Sequence, residues 1–137
     1  MARSRRAPPP KRLILDSGAV IGLARGDQRV RAYLARALEL GAPVEIPVVV
    51  VAETVRGGPT DAPVNRVLKA VDAVPDVTED VGRTAGRLLG KARSSSTVDA
   101  LVVAQAVHAG GAHILTSDPG DLEPLAAPHP EVRIQAI

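Results

Sequence analysis

Four carboxylates, Asp16, Glu53, Asp99 and Asp118, stand in four separate segments of this 137-residue chain. Singly each is ordinary, because aspartate is a common turn residue after a strand and an acid in a first helical turn is stabilised by the helix dipole. Gathered at one place they imply chemistry. Two carboxylates about 4 Å apart repel by about 4 kcal/mol at an effective dielectric of about 20, so a cluster needs protons, cationic side chains or a divalent ion to offset it. The chain has no cysteine, and His108, His113 and His129 lack metal-ligand spacing. An all-oxygen donor set suits Mg²⁺ or Mn²⁺ better than zinc. Such an ion can activate a water and neutralise charge on a phosphoryl oxygen, which is the chemistry of metal-dependent phosphodiester hydrolysis.

The elements that carry these acids alternate between short apolar runs and amphipathic stretches. Leu13-Ile14-Leu15 reads as a strand buried on both faces and ends at Asp16. Ser17 and Gly18 turn the chain into a short helix over 19–24, and Asp27 caps a helix from Gln28 to Leu40 that Gly41 closes. Val44-Glu45-Ile46 is a second strand. Val48 to Val51 is ambiguous: four valines favour a strand, whereas Pro47 fits the first turn of a helix. A helix over 61–71 and a short strand over 73–77 follow. Thr78 caps a helix running to Leu89 and stopping at Gly90, with a polar, basic loop over 91–96 behind it. Thr97 caps a helix from Val98 to Ala109, which places Asp99 in a first turn. His113 to Thr116 is a strand, Pro119 to Leu125 a short helix and Val132 to Ile134 a last strand. The simplest architecture is α/β, a three-layer α/β/α sandwich on a central parallel sheet, whose ligands sit beyond the carboxyl ends of the strands.

Composition sets the frame. A length of 137 residues suits one domain, and 45% apolar residues suffice for a core, which excludes a wholly disordered chain. Tyr33 is the sole aromatic residue, so the core is aliphatic and base stacking on aromatic platforms is disfavoured. No apolar run approaches a membrane span, and no apolar segment follows the basic N-terminus as a secretory signal requires. A cytoplasmic protein is expected. The net charge of +2 is uneven, with Arg3, Arg5, Arg6, Lys11 and Arg12 in the first twelve positions and 12 basic against 15 acidic residues in the rest. The Pro8-Pro9-Pro10 run within residues 1–11 favours an extended arm, which either follows a phosphate backbone or is an incidental tail. Residues 12–137 would form the folded domain.

The ordered set of Leu13-Ile14-Leu15-Asp16-Ser17-Gly18-Ala19, Ile46-Pro47 through Ala52-Glu53-Thr54-Val55, Val98-Asp99-Ala100 and Ile114-Leu115-Thr116-Ser117-Asp118-Pro119-Gly120-Asp121-Leu122 resembles the PIN-domain ribonucleases, in particular the VapC-type toxins of bacterial type II toxin–antitoxin pairs. The resemblance implies an Mg²⁺- or Mn²⁺-dependent endoribonuclease on a PIN-like fold. It maps a catalytic and metal-binding quartet onto Asp16, Glu53, Asp99 and Asp118. It also implies a helix over 48–56 that presents Glu53. Thr116 matches a position where the family often has a hydroxyl near the metal. Asp121 either contacts metal-bound water or caps the short helix, and the cap is favoured. Lys91 and Arg93 are candidate RNA contacts beside Asp99, against the alternative of a solvated linker. The partners implied are an RNA substrate, a cognate antitoxin laid over the active-site groove and a second copy of the chain in a homodimer.

Competing readings fail at named positions or stay open. A phosphoaspartate receiver needs an acidic neighbour beside Asp16 and a lysine late in the chain, yet no lysine follows Lys91. A haloacid-dehalogenase-type phosphatase needs a second aspartate where Gly18 stands. A catalytically silent RNA- or protein-binding module of the same fold remains the alternative.

Overall fold

Leu13, Ile14 and Leu15 are all buried, which a strand achieves only when helices cover both of its faces. In the computed structural model, which describes residues 12–137, they form β1 (Leu13–Leu15). The basic arm over 1–11 lies outside the described residues. The other strands are β2 (Val44–Glu45), β3 (Ala112–Thr116) and β4 (Val132–Ala136). All pair in parallel, in the order β2-β1-β3-β4. The register sets Leu13, Ile14 and Leu15 beside His113, Ile114 and Leu115. The helices are α1 (Ser17–Ala24), α2 (Gln28–Glu39), α3 (Val48–Thr54), α4 (Ala62–Ala70), α5 (Glu79–Ala92), α6 (Thr97–His108) and α7 (Pro119–Ala126). Helix α1 packs against α2, α3 and α4, while α5, α6 and α7 pack on one another and against β3 and β4. These helices flank the parallel sheet and give the expected three-layer sandwich. Among the described residues, no helix is long and apolar enough to cross a membrane.

The ambiguous valines are helical. Pro47 precedes the first turn with φ −61°, and its carbonyl accepts from Val50 and Val51 N–H at 2.9 and 3.3 Å, so its missing N–H costs nothing. Val50 is fully buried while Val48 is exposed, a helical rather than alternating pattern. The helix ends at Thr54, two residues short of the implied end. Asp27 caps α2 as read, accepting from Arg29 and Val30 N–H.

Several boundaries differ from expectation. No strand forms over 73–77; Ala73 makes one isolated bridge to Glu45, and Pro75, lacking an N–H, cannot extend it. Helix α5 runs through Gly90 to Ala92, so Lys91 lies in its last turn rather than in a loop. Its actual stop is Arg93, at φ 52° and ψ 44°, with Ser94 N–H closing onto Leu89 C=O at 3.0 Å. Thr97 is the first residue of α6, whose cap position is Ser96.

Asp61 does not begin a helix as read, but ends a 3₁₀ turn (Pro59–Asp61). Its carboxylate reaches back to Arg56 N–H (3.0 Å) and Gly57 N–H (2.6 Å), tying down the segment after α3. The backbone N–H groups of Arg56 and Gly57 hold this carboxyl below its usual pKa. A depressed folded pKa gives stability that is complete above the unfolded value and is lost as pH falls through the folded one. Asp61→Asn is therefore expected to lower the melting temperature at neutral pH. The gap to wild type should close in acid, and a gap independent of pH in thermal melts would refute the assignment.

Candidate active site

The sheet order creates a switch between β1 and β3, because the chain leaves β1 toward β2 on one side and later returns to β3 on the other. In open α/β sheets this is where ligands bind, beyond the carboxyl ends of the strands. Asp16 stands there at the end of β1, only 6% exposed. It is also the N-cap of α1, which starts at Ser17, two residues earlier than read, because Asp16 Oδ1 accepts from Ser17 N–H at 2.9 Å. Its other oxygen, Oδ2, accepts from the Thr116 hydroxyl at 2.9 Å. Thr116 ends β3, is fully buried, and accepts in turn from Asp118 N–H at 3.0 Å. One hydroxyl thus couples the two central strand ends and sets the start of the segment carrying Asp118.

Glu53 projects from the last turns of α3 and Asp99 from the first turn of α6. Partial burial raises the Glu53 carboxyl above its ordinary pKa, the charges of Asp16 and Asp99 raise it further, and Arg56 opposes them. Asp99 is raised in the same sense, first by burial and then by Asp16, Asp121 and Asp118. These mutual effects bring Asp16, Glu53, Asp99 and Asp118 into one electrostatic cluster, with Asp121 as a fifth member. Asp121 lies in the first turn of α7, where its negative charge suits the helix N-terminus. The three histidines are not part of the cluster; His108 Nε2 pairs with the Thr84 hydroxyl at 2.9 Å and His129 Nδ1 with Glu131 at 3.0 Å.

The donor set suits a hard divalent cation in kind, since every candidate ligand is an oxygen. Its spacing is looser than coordination requires. Among the described residues, no three Asp, Glu or His side chains stand close enough to hold an ion as they are. Among these five acids, Asp16 alone accepts hydrogen bonds at both carboxylate oxygens, from Ser17 N–H and the Thr116 hydroxyl.

The model of the PIN domain matches residues 13–123. The chain belongs to the PIN-domain family. The members of that family are generally nucleases. Solved structures share the fold. One is the Rickettsia felis VapBC2 complex bound to a DNA fragment from their promoter, with a TM-score of 0.71 at 12% identity, covering 91% of this chain and 98% of that one. Another is a toxin–antitoxin complex from Klebsiella pneumoniae, at 0.65 and 20% identity, covering 88% and 94%. A third is FitAcB from Neisseria gonorrhoeae, at 0.64 and 17%, covering 89% and 95%. No curated protein matches the chain by sequence. On this PIN-domain frame, Lys91 and Arg93 are both exposed near the entry to α6, eight and six residues before Asp99.

Proposed function

We propose that this PIN-domain protein is a metal-dependent endoribonuclease and the toxin of a toxin–antitoxin pair in the cytoplasm. The observation that carries the reading is Asp16. It is buried at the switch point, fixed by Thr116 and Ser17, and felt electrostatically by both Glu53 and Asp99. Asp16, Asp99 and Asp118 would hold Mg²⁺ or Mn²⁺, with Glu53 binding the ion or orienting the attacking water. A bound ion would supply an activated water and neutralise charge on the phosphoryl group. Thr116 keeps Asp16 in place, and Asp121 adds negative charge beside Asp99. Lys91 and Arg93 would meet the RNA backbone.

The antitoxin and the second copy of a homodimer need surface. A groove of about 280 Å³ between α1, α2 and α4, lined by Leu23, Leu34, Leu38, Val67 and Val71, offers apolar area for one of them. Leu38 is 82% exposed there, whereas Val30 and Ala37 of the same helix serve the core.

The test is incubation of the purified protein with total cellular RNA and Mn²⁺ or Mg²⁺, with chelator, and beside Asp99→Asn, with RNA ends mapped by sequencing. Discrete metal-dependent cuts absent from the variant are expected. One observation favours a second reading, a catalytically silent binding module: the acids are not drawn to coordination distance. Such a module shows neither cuts nor Mn²⁺ affinity that Asp99→Asn removes.

Arg93 allows a separate check. Among the described residues it alone is a non-glycine at positive φ, a conformation that costs about 1 kcal/mol. Arg93→Gly should therefore stabilise the fold by about 1 kcal/mol in urea while weakening RNA binding and flattening its salt dependence. Equal salt slopes for variant and wild type would remove Arg93 from the RNA contact.

A further inference from the structure

We infer that Gly18 and Ser117 interlock to set the spacing of the two central strand ends, and that Ser117 is thereby a positioning residue for the acidic cluster. The inference rests on the nuclease reading above. A Cβ on Gly18 would lie 2.1 Å from Ser117 Oγ and 2.8 Å from Ser117 Cβ. Real side chains do not approach so closely, so the Ser117 side chain fills the space that residue 18 leaves empty.

The need for glycine here is one of space alone. Gly18 does not adopt a positive φ, and glycine is otherwise a poor choice in the first turn of a helix. The helical glycines Gly82, Gly86 and Gly90 have open room around them. Gly111 is also crowded, by Glu131 C=O, but its φ of 112° demands glycine in any case.

The contact lies between the groups that matter. Ser117 joins Thr116, whose hydroxyl holds Asp16 Oδ2, to Asp118, whose N–H is held by that same hydroxyl. Gly18 is two residues beyond Asp16. Pushing 117 away from 18 therefore moves Asp118 and strains the Thr116–Asp16 bond at once. The Ser117 side chain forms no hydrogen bond with another described residue, which leaves occupancy of this space as its contribution.

The experiment measures Mn²⁺ affinity by electron paramagnetic resonance, RNA cleavage and melting temperature for four proteins: wild type, Gly18→Ala, Gly18→Ala with Ser117→Gly, and Gly18→Ala with Ser117→Ala. Gly18→Ala is expected to weaken Mn²⁺ binding about tenfold and cleavage about 100-fold, the scale on which a misplacement of about 1 Å acts. Ser117→Gly should restore both to within about threefold, since it removes the two closest atoms. Ser117→Ala should not, because its Cβ remains at the 2.8 Å clash. If Gly18→Ala does not fold, the double variant with Ser117→Gly must fold and bind Mn²⁺. The inference is overturned if Gly18→Ala lowers only the melting temperature, or if Ser117→Gly fails to rescue it. A wild type that binds Mn²⁺ without cutting RNA refutes the nuclease reading and leaves the affinity series to decide the interlock. A wild type that does neither refutes both.

Discussion

Asp99→Asn should sharply reduce metal-dependent RNA cleavage while making the protein more stable in chelator at neutral pH. The two effects share one cause. Asp99 is half-buried, accepts no side-chain hydrogen bond from another described residue, and faces the charges of Asp16, Asp121 and Asp118. Its folded pKa is raised, so ionisation penalises the folded state above that value, and the penalty disappears as pH falls below the unfolded one. The variant should thus melt a few degrees higher than wild type at pH 7, with the difference vanishing in acid. The loss of activity should be on the order of 100- to 1,000-fold, since a ligand to a catalytic ion supports several kcal/mol of transition-state stabilisation at about 1.4 kcal/mol per decade. Mn²⁺ should then reverse the ranking, because ligand at about 100 times its Kd stabilises wild type by about 2.7 kcal/mol. Melting curves with and without Mn²⁺ test this directly. A wild type that gains nothing from Mn²⁺, or a variant that gains as much, would favour the silent-module reading.

Thr116→Val should do the opposite and damage both fold and site. Valine preserves the shape and removes the hydroxyl, leaving Asp16 Oδ2 and Asp118 N–H without their shared partner. Thr116 is fully buried and water cannot readily replace it. Loss of a hydrogen bond to a charged group costs about 1.5–3 kcal/mol, which urea denaturation resolves easily. Mn²⁺ affinity should fall by about 10- to 100-fold, the usual consequence of releasing a ligand from the group that orients it. Thr116→Ser retains the hydroxyl and should keep most of both properties. Equal damage from serine and valine would show that the methyl group, rather than the hydrogen bond, is what matters.

The strands were legible where they are apolar throughout: Leu13 to Leu15 and Ile114 to Leu115 can be satisfied only between two helical layers. The helix after Pro47 was not legible from its residues, because valine propensity and proline geometry oppose each other and tertiary burial of Val50 decides. Arg93 as a helix stop was hidden by Gly90, the better terminator by type, and the helix passed through it. Asp16 and Asp118 were visible as acids at strand ends. The bonds from Thr116 were not, since they require β1 and β3 to lie side by side across a hundred residues. The reach of Asp61 back to Arg56 and Gly57 likewise depends on how the turn folds.

That hundred-residue separation also has a meaning in time. During synthesis Asp16, Glu53 and Asp99 are all made before Thr116 and Asp118 exist, and β1 has no central partner until β3 arrives. Pairings this distant in sequence form late and slowly, after the cost of closing a long loop has been met. A growing chain therefore carries three quarters of the proposed quartet without the Thr116 hydroxyl that holds Asp16 Oδ2. On the nuclease proposal, the acidic site is complete only once nearly the last strand has been made.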